Sequence, residues 1–162
     1  DDQTHSMAQA IANENQTIID YGHINRHSYV LDAGCGVGNT AMYITQKTRC
    51  KIVGITITPI QVQQANQAIN IHHLSSFVTV KQADYHHTDF PNNSFDVIYG
   101  IESVCHSSPR SKFLAEALRL LKPGGQLIIA DGYISPTTNP TSQKHIHDFK
   151  QAFALSEWTS PE

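Results

Sequence analysis

Between Tyr29 and Thr40 the chain reads YVLDAGCGVGNT, and this stretch limits the possible folds more than any other. A short apolar run, Tyr29 to Leu31, ends in an acid, Asp32. Glycines follow at alternate positions, Gly34, Gly36 and Gly38, and then a segment with helical character from Thr40 to Lys47. Strand, glycine turn and helix in that order bring backbone N–H groups close to a ligand. A dinucleotide fingerprint needs G-x-G-x-x-G/A, whose third small residue packs helix against sheet. Here the spacing is G-x-G-x-G, and Asn39 occupies the place of that small residue. A pyrophosphate ligand is therefore disfavoured, and the rest of the chain has to identify what the loop holds.

A length of 162 residues suits one domain. Hydrophobic residues make up 40%, enough for a core, whereas charged residues are only 15%. The formal charge of −3, without a Lys/Arg block, argues against nucleic acid or an anionic membrane as partner. Three cysteines (Cys35, Cys50 and Cys105) form no C-x-x-C pair, which fits a reduced, cytoplasmic setting. No apolar run reaches the roughly 18 residues of a membrane span. The ten histidines include His72-His73, His86-His87 and His145-x-His147. None joins a cysteine or carboxylate at zinc-ligand spacing, so no metal is expected.

Five strand-like runs alternate with helical ones. Met7 to Asp20 predicts an amphipathic helix carrying Met7, Ala10, Ile11, Ile18 and Ile19. Strands are predicted at Tyr29–Asp32, Lys51–Ile57, Phe77–Lys81, Phe95–Tyr99 and Gln126–Ala130. A helix from about Asn39 to Lys47 follows the first strand. Thr58-Pro59-Ile60-Gln61 opens another, with Thr58 as N-cap, Pro59 at the first helical position and Gln61 able to close a capping box. In Pro109 to Leu121 the residues Leu114, Ala117, Leu118 and Leu121 fall at helical spacing. Ser108 is the expected cap, and Lys122-Pro123-Gly124-Gly125 the stop. Continuous apolar strands with helical crossovers imply a Rossmann-like, doubly wound parallel sheet of α/β class. Residues 1–27 form an N-terminal helical segment in this reading and 28–134 the ligand-binding domain. Residues 135–162 are a linker and a C-terminal helical segment at Lys144–Leu155.

In such a sheet, ligands lie outside the carboxyl ends of the strands. The residues at those ends are, in chain order, Asp32 with the glycines, Thr56 and Gln61, Asp84, then Gly100, Ile101 and Glu102, then Asp131. At this point the chain resembles the class I S-adenosylmethionine-dependent methyltransferases, over about residues 28 to 132. VLDAGCGVGNT is similar to that family's first motif, and Gln82-Ala83-Asp84 to its adenine-holding segment. FDVIYGIES and LRLLKPGGQLIIAD are similar to its fourth-strand and fifth-strand motifs.

The resemblance implies S-adenosylmethionine as cofactor and a role for each matching position. Gly34, Cys35 and Gly36 would carry the loop past the cofactor, and Asp32 would orient that loop. Asp84 would accept from the adenine amine, with Ala83 and Tyr85 flanking the ring. Gly100 and Ile101 would offer backbone to the methionine part. Most members place an acid at the end of the second strand for the ribose, and Thr56 stands there instead. That form, with Gln61 as the implied ribose ligand, is similar to the sterol, tocopherol, cyclopropane-fatty-acid and natural-product branch. A small-molecule methyl acceptor follows, often lipid-like. Glu102 and His106, at the fourth strand's end, are the catalytic candidates, as a base or as a carboxylate facing a developing cation.

From the residues alone, Asp32 can equally order the helix after the loop, and Gln61 can serve the capping box. A nicotinamide-dependent oxidoreductase would want a small residue at 39 and an acid at 56, and finds neither. A non-catalytic cofactor-binding module would share every motif. The family's sheet also ends in an antiparallel hairpin, which this chain does not offer. Five strands are therefore expected without it, with an edge strand left open to self-association.

Overall fold

The computed structural model describes residues 6–132. The predicted helix at Lys144–Leu155 and the linker before it lie outside the described residues. Chain order is α1 (Met7–Tyr21), β1 (Tyr29–Ala33), α2 (Asn39–Thr48), β2 (Lys51–Thr56), α3 (Pro59–Ile71), β3 (Val78–Gln82), β4 (Phe95–Ile101), α4 (Arg110–Leu120) and β5 (Leu121–Ala130). A 3₁₀ turn, Val104–His106, sits between β4 and α4. Five parallel strands run in the order β3-β2-β1-β4-β5 among the described residues, the doubly wound α/β arrangement that the strand pattern predicts.

Alternation along each strand supplies two cores. Val30, Ile52, Val78, Val97 and Tyr99 meet α1, α2 and α3 on one face. Leu31, Ala33, Val53, Ile55 and Ile98 meet Phe113, Ala117 and Leu120 of α4 on the other. The chain reverses direction in strand order at β1 and β4, and the loops that follow those two strands open the crevice that holds the site.

Several local expectations are corrected. The buried stripe of α4 is Phe113, Glu116, Ala117 and Leu120, one position off the predicted one, while Leu114 and Leu118 are exposed. Both stripes fit a 3.6-residue period and share Ala117. The choice is made by the partners, since Phe113 sets its ring edge-on to Tyr85, centroids 5.2 Å apart. In α1 only Asn15, Ile18 and Ile19 are buried, and Met7 and Ile11 point outward. Ser108 is not the cap of α4: Pro109 holds that position and offers no side-chain hydrogen bond. β5 begins at Leu121, directly after the helix, because Leu121 pairs with Phe95 before the register shifts and Gln126 meets Val97. Lys122 bridges that irregular stretch, its Nζ 2.8 Å from Asp96 Oδ1.

Candidate active site

The carboxyl ends of the strands enclose a cavity of about 490 Å3. Gly34 and Gly36 line one part of it, Thr56 and Gln61 the next, Ala83, Asp84 and Tyr85 another, and Glu102 and His106 the remainder. Ile57, Thr58, His86 and Ser103 complete the wall. Four residues to which the resemblance assigns a cofactor role do not line it: Asp32, Cys35, Gly100 and Ile101. Gly38 and Asp131, also at the strand ends, are not part of the wall.

The loop after β1 is pinned to β2: the N–H groups of Gly34 and Cys35 both donate to Ile55 O at 2.9 Å. Its glycines serve two purposes. Gly36, at φ +53°, faces open space, so the backbone itself forms the cavity wall there. Gly34, at φ +88°, has no room for a side chain because an added Cβ would overlap Ser103 Cβ. Gly100 makes room for the same residue, as a Cβ there would lie 2.9 Å from Ser103 Oγ. Ser103 is buried and its Oγ donates to Ala33 O at 2.6 Å. This wedge between β1 and β4 escaped the sequence analysis; two glycines facing each other across neighbouring strand ends were its only signal.

Asp32 lies beneath the loop, 3% exposed, and accepts a 2.8 Å hydrogen bond from the Tyr99 hydroxyl. Burial pushes its carboxyl up to about 7, against the lowering pull of that hydrogen bond. Burial and then the Asp32 charge raise the Cys35 thiol, so Cys35 is a packed side chain, its sulfur close to Gly54.

At the end of β2, Thr56 Oγ1 donates to Gln61 Oε1 at 2.7 Å and accepts from the Thr58 N–H at 3.3 Å. Thr58 makes no side-chain cap bond, so the capping box is absent and Gln61 is turned toward Thr56 instead. After β3, Asp84 Oδ1 accepts from the His86 N–H at 2.8 Å and lies 3.1 Å from His86 Nδ1. Tyr85 donates to Ser103 O at 3.1 Å, which ties this loop to the segment after β4. Burial raises the Tyr85 phenol, with the neighbouring Asp84 charge second.

Glu102 takes a left-handed backbone, φ +47°, and its N–H donates to Ala130 O at 2.9 Å. That kink turns its exposed side chain toward the cavity edge, with the 3₁₀ turn bringing His106 to the same edge. Val104 and Cys105 point inward and anchor the turn. Asp131, after β5, accepts from the Cys105 N–H at 3.1 Å, and its carboxyl is raised mainly by burial and also by Glu102. Ligand atoms of Glu102, Cys105 and Asp131 lie within 4.8 Å of one another. Burial, with Asp131 second, pushes the Cys105 thiol up to about 11, which leaves it a protonated and poor metal ligand.

Comparison with known proteins agrees with this geometry. Residues 31–129 match the Methyltransferase domain family. A sterol 24-C-methyltransferase of Candida albicans is 31% identical over 140 residues, which is 86% of this chain and 37% of the relative. The methyltransferase GfsG of Streptomyces halstedii is 33% identical over 120 residues, 74% of this chain and 43% of the relative. The chain thus spans less than half the length of these curated relatives. Among solved structures, the [4+2]-cyclase SpnF superposes with a TM-score of 0.81 at 26% identity, covering 86% of this chain and 52% of that one. A geranyl diphosphate C-methyltransferase from Streptomyces coelicolor A3(2) shares the fold, with a TM-score of 0.86 at 18% identity, over 94% of this chain and 57% of that one. The glycine loop, the strand order and the family match over 31–129 together establish that this chain belongs to the Methyltransferase domain family.

Proposed function

We propose that the chain binds S-adenosylmethionine and transfers its methyl group to a small-molecule acceptor of lipid-like or natural-product class. One observation carries this reading: a single cavity wall joins the open backbone at Gly36, the Thr56–Gln61 pair, the Asp84 carboxylate and Glu102 with His106. Its volume of about 490 Å3 is that of a small-molecule site. The wall fits a methionine nucleoside, because it offers backbone at one part, amide and hydroxyl groups at the next and a carboxylate acceptor beyond. The name of the sterol 24-C-methyltransferase relative supports a lipid-like acceptor.

In this reading Gly34 to Gly36 pass along the methionine part, with Asp32 holding the loop from below. Gln61 meets the ribose, and Asp84 takes the adenine amine beside Ala83 and Tyr85. When bound, the cofactor supplies an already activated methyl group on a sulfonium. The protein's remaining tasks are alignment of the acceptor and exclusion of water. Glu102 and His106 stand where the acceptor would enter. With a hydroxyl or amine acceptor, either can take the released proton. With an alkene carbon, the Glu102 carboxylate stabilises the cation that forms. Self-association through the edge of β5, which pairs only with β4 among the described residues, belongs to the same proposal.

Calorimetric titration with S-adenosylmethionine and with NAD+ tests the cofactor: binding of NAD+ alone would sink the reading. Because one structural relative is named as a cyclase, binding does not decide turnover. A labelled-methyl assay against a panel of sterols, prenyl compounds and other lipid-like and natural products does. Glu102→Gln is expected to spare cofactor binding and to cut turnover at least tenfold, the scale of a lost acid–base or charge contribution. Undiminished turnover would remove Glu102 from the catalytic set.

A further inference from the structure

His86 has no role in the reading above, yet both of its ring nitrogens are engaged. Nδ1 lies 3.1 Å from Asp84 Oδ1, and Nε2 lies 2.7 Å from Ser107 Oγ. Ser107 is fully buried and makes no part of the cavity wall. A carboxylate oxygen only accepts, so the tautomer that serves both contacts has its proton on Nδ1 facing Asp84 and its Nε2 accepting from the Ser107 hydroxyl. The order is acid, imidazole, hydroxyl, with the hydroxyl sealed inside the protein. Nucleophilic use of Ser107 is excluded by that burial, which leaves an orienting role for the chain of bonds.

Asp84 needs orienting. Its side chain is 59% exposed and sits at a strand end, where a free carboxylate would sample several rotamers. The His86 backbone N–H donates to Oδ1 and the imidazole Nδ1 lies 3.1 Å from the same oxygen, while Oδ2 has no partner among the described residues. The arrangement fixes the carboxylate plane and presents one oxygen as acceptor. Ser107 in turn is held by its own N–H to Val104 O at 2.9 Å, inside the turn that follows Glu102. The base-binding acid is thereby attached to the segment carrying the catalytic candidates.

Resting on the cofactor reading above, we propose that His86 is a positioning residue that selects for a 6-amino purine on the cofactor by holding Asp84 Oδ2 as its acceptor, braced from behind by Ser107. Such preorganisation raises affinity by removing the ordering cost at binding.

The test is calorimetric binding of S-adenosylhomocysteine and of S-inosylhomocysteine, whose 6-oxo group cannot donate, to the full chain and its variants. The unsubstituted protein is expected to prefer the adenosyl ligand by about tenfold or more, the scale of one hydrogen bond to a charged group. In His86→Ala that preference should fall below about threefold, as in Asp84→Ala, and the double variant should lose no more. His86→Asn places an amide N–H where Nδ1 stood and is expected to restore the preference. His86→Gln places its amide near the Nε2 position and is not. Weakening of both ligands by the same factor in His86→Ala, with the preference kept, would overturn the proposal. If His86→Ala does not fold by circular dichroism, the Asn and Gln variants decide, and equal preferences in the two would overturn it. Absence of S-adenosylhomocysteine binding by the unsubstituted protein would instead overturn the cofactor reading, and with it this one.

Discussion

Thr56 Oγ1 donates a 2.7 Å hydrogen bond to Gln61 Oε1, so the Gln61 side chain reaches the cavity with its carbonyl used and its NH2 group available. A neutral hydrogen bond of this kind contributes about 1 kcal/mol. Thr56→Val, which keeps the shape and removes the donor, should weaken S-adenosylmethionine binding by roughly five- to tenfold through a misoriented amide. Thr56→Ser should stay near the unsubstituted affinity. Titration calorimetry on the two variants checks this, and equal losses would show that the hydroxyl does not act through Gln61.

Gly34 and Gly36 look alike in the sequence but should respond differently. In Gly34→Ala the new methyl overlaps Ser103 Cβ and occupies a left-handed residue. A loss of about 2–4 kcal/mol is expected from overpacking and backbone strain together. In Gly36→Ala the methyl meets open space, so only the strain, about 1 kcal/mol, applies to folding, and the larger effect falls on ligand binding. Urea unfolding of the two variants separates the cases. Partial recovery of Gly34→Ala by a second change, Ser103→Gly, would identify the overlap as the cause.

Asp32 ties folding to pH. Its carboxyl is raised from 3.8 to about 7, chiefly by burial. The folded state therefore holds a proton that the unfolded chain releases. The associated stability is present in full below pH 3.8 and is lost as pH rises through about 7, amounting to about 4 kcal/mol. Asp32→Asn keeps an acceptor for Tyr99 and cannot ionise. Its denaturation midpoint should hold steady across that window while that of the unsubstituted protein declines.

Glu116 produces the opposite slope. Its carboxylate, buried on α4, takes hydrogen bonds from Arg119 Nε at 2.8 Å and from the Thr88 N–H at 2.7 Å. Arg119, ahead of the Thr88 bonds, holds the carboxyl down at about 2. The stability it brings, about 3 kcal/mol, is present above pH 4.5 and lost as pH falls through about 2. Glu116→Gln should flatten the acid limb of a stability profile and leave the region above pH 5 with a uniformly lower midpoint. The same network secures Phe90 O and Asn92 Oδ1 to Arg119, so this variant should also raise hydrogen exchange in the loop before β4.

The strands and the glycine loop were legible because buried parallel strands are continuous apolar runs and their ends carry small and polar residues. The doubly wound arrangement followed from the handedness of crossovers, whereas the spatial order β3-β2-β1-β4-β5 depends on which face each helix packs against. The face of α4 was not legible, since Leu114-Leu118 and Phe113-Leu120 satisfy the same period and only the position of the Tyr85 ring distinguishes them. The contacts of Ser103 and His86 were not legible because their partners are distant in the chain: Ala33 lies 70 residues from Ser103, and Ser107 lies 21 from His86.

By itself, then, the sequence determined the α/β class, the succession of strands and helices along the chain and the identity of the residues at the strands' carboxyl ends, because each depends on short-range pattern and chain topology. Tertiary structure decided which of those residues form the wall and which support it. Asp32 and Gly100 are buried behind the lining while Asp84 and Glu102 reach it. That division depends on side-chain packing and hydrogen bonds between strand ends, which no local pattern encodes.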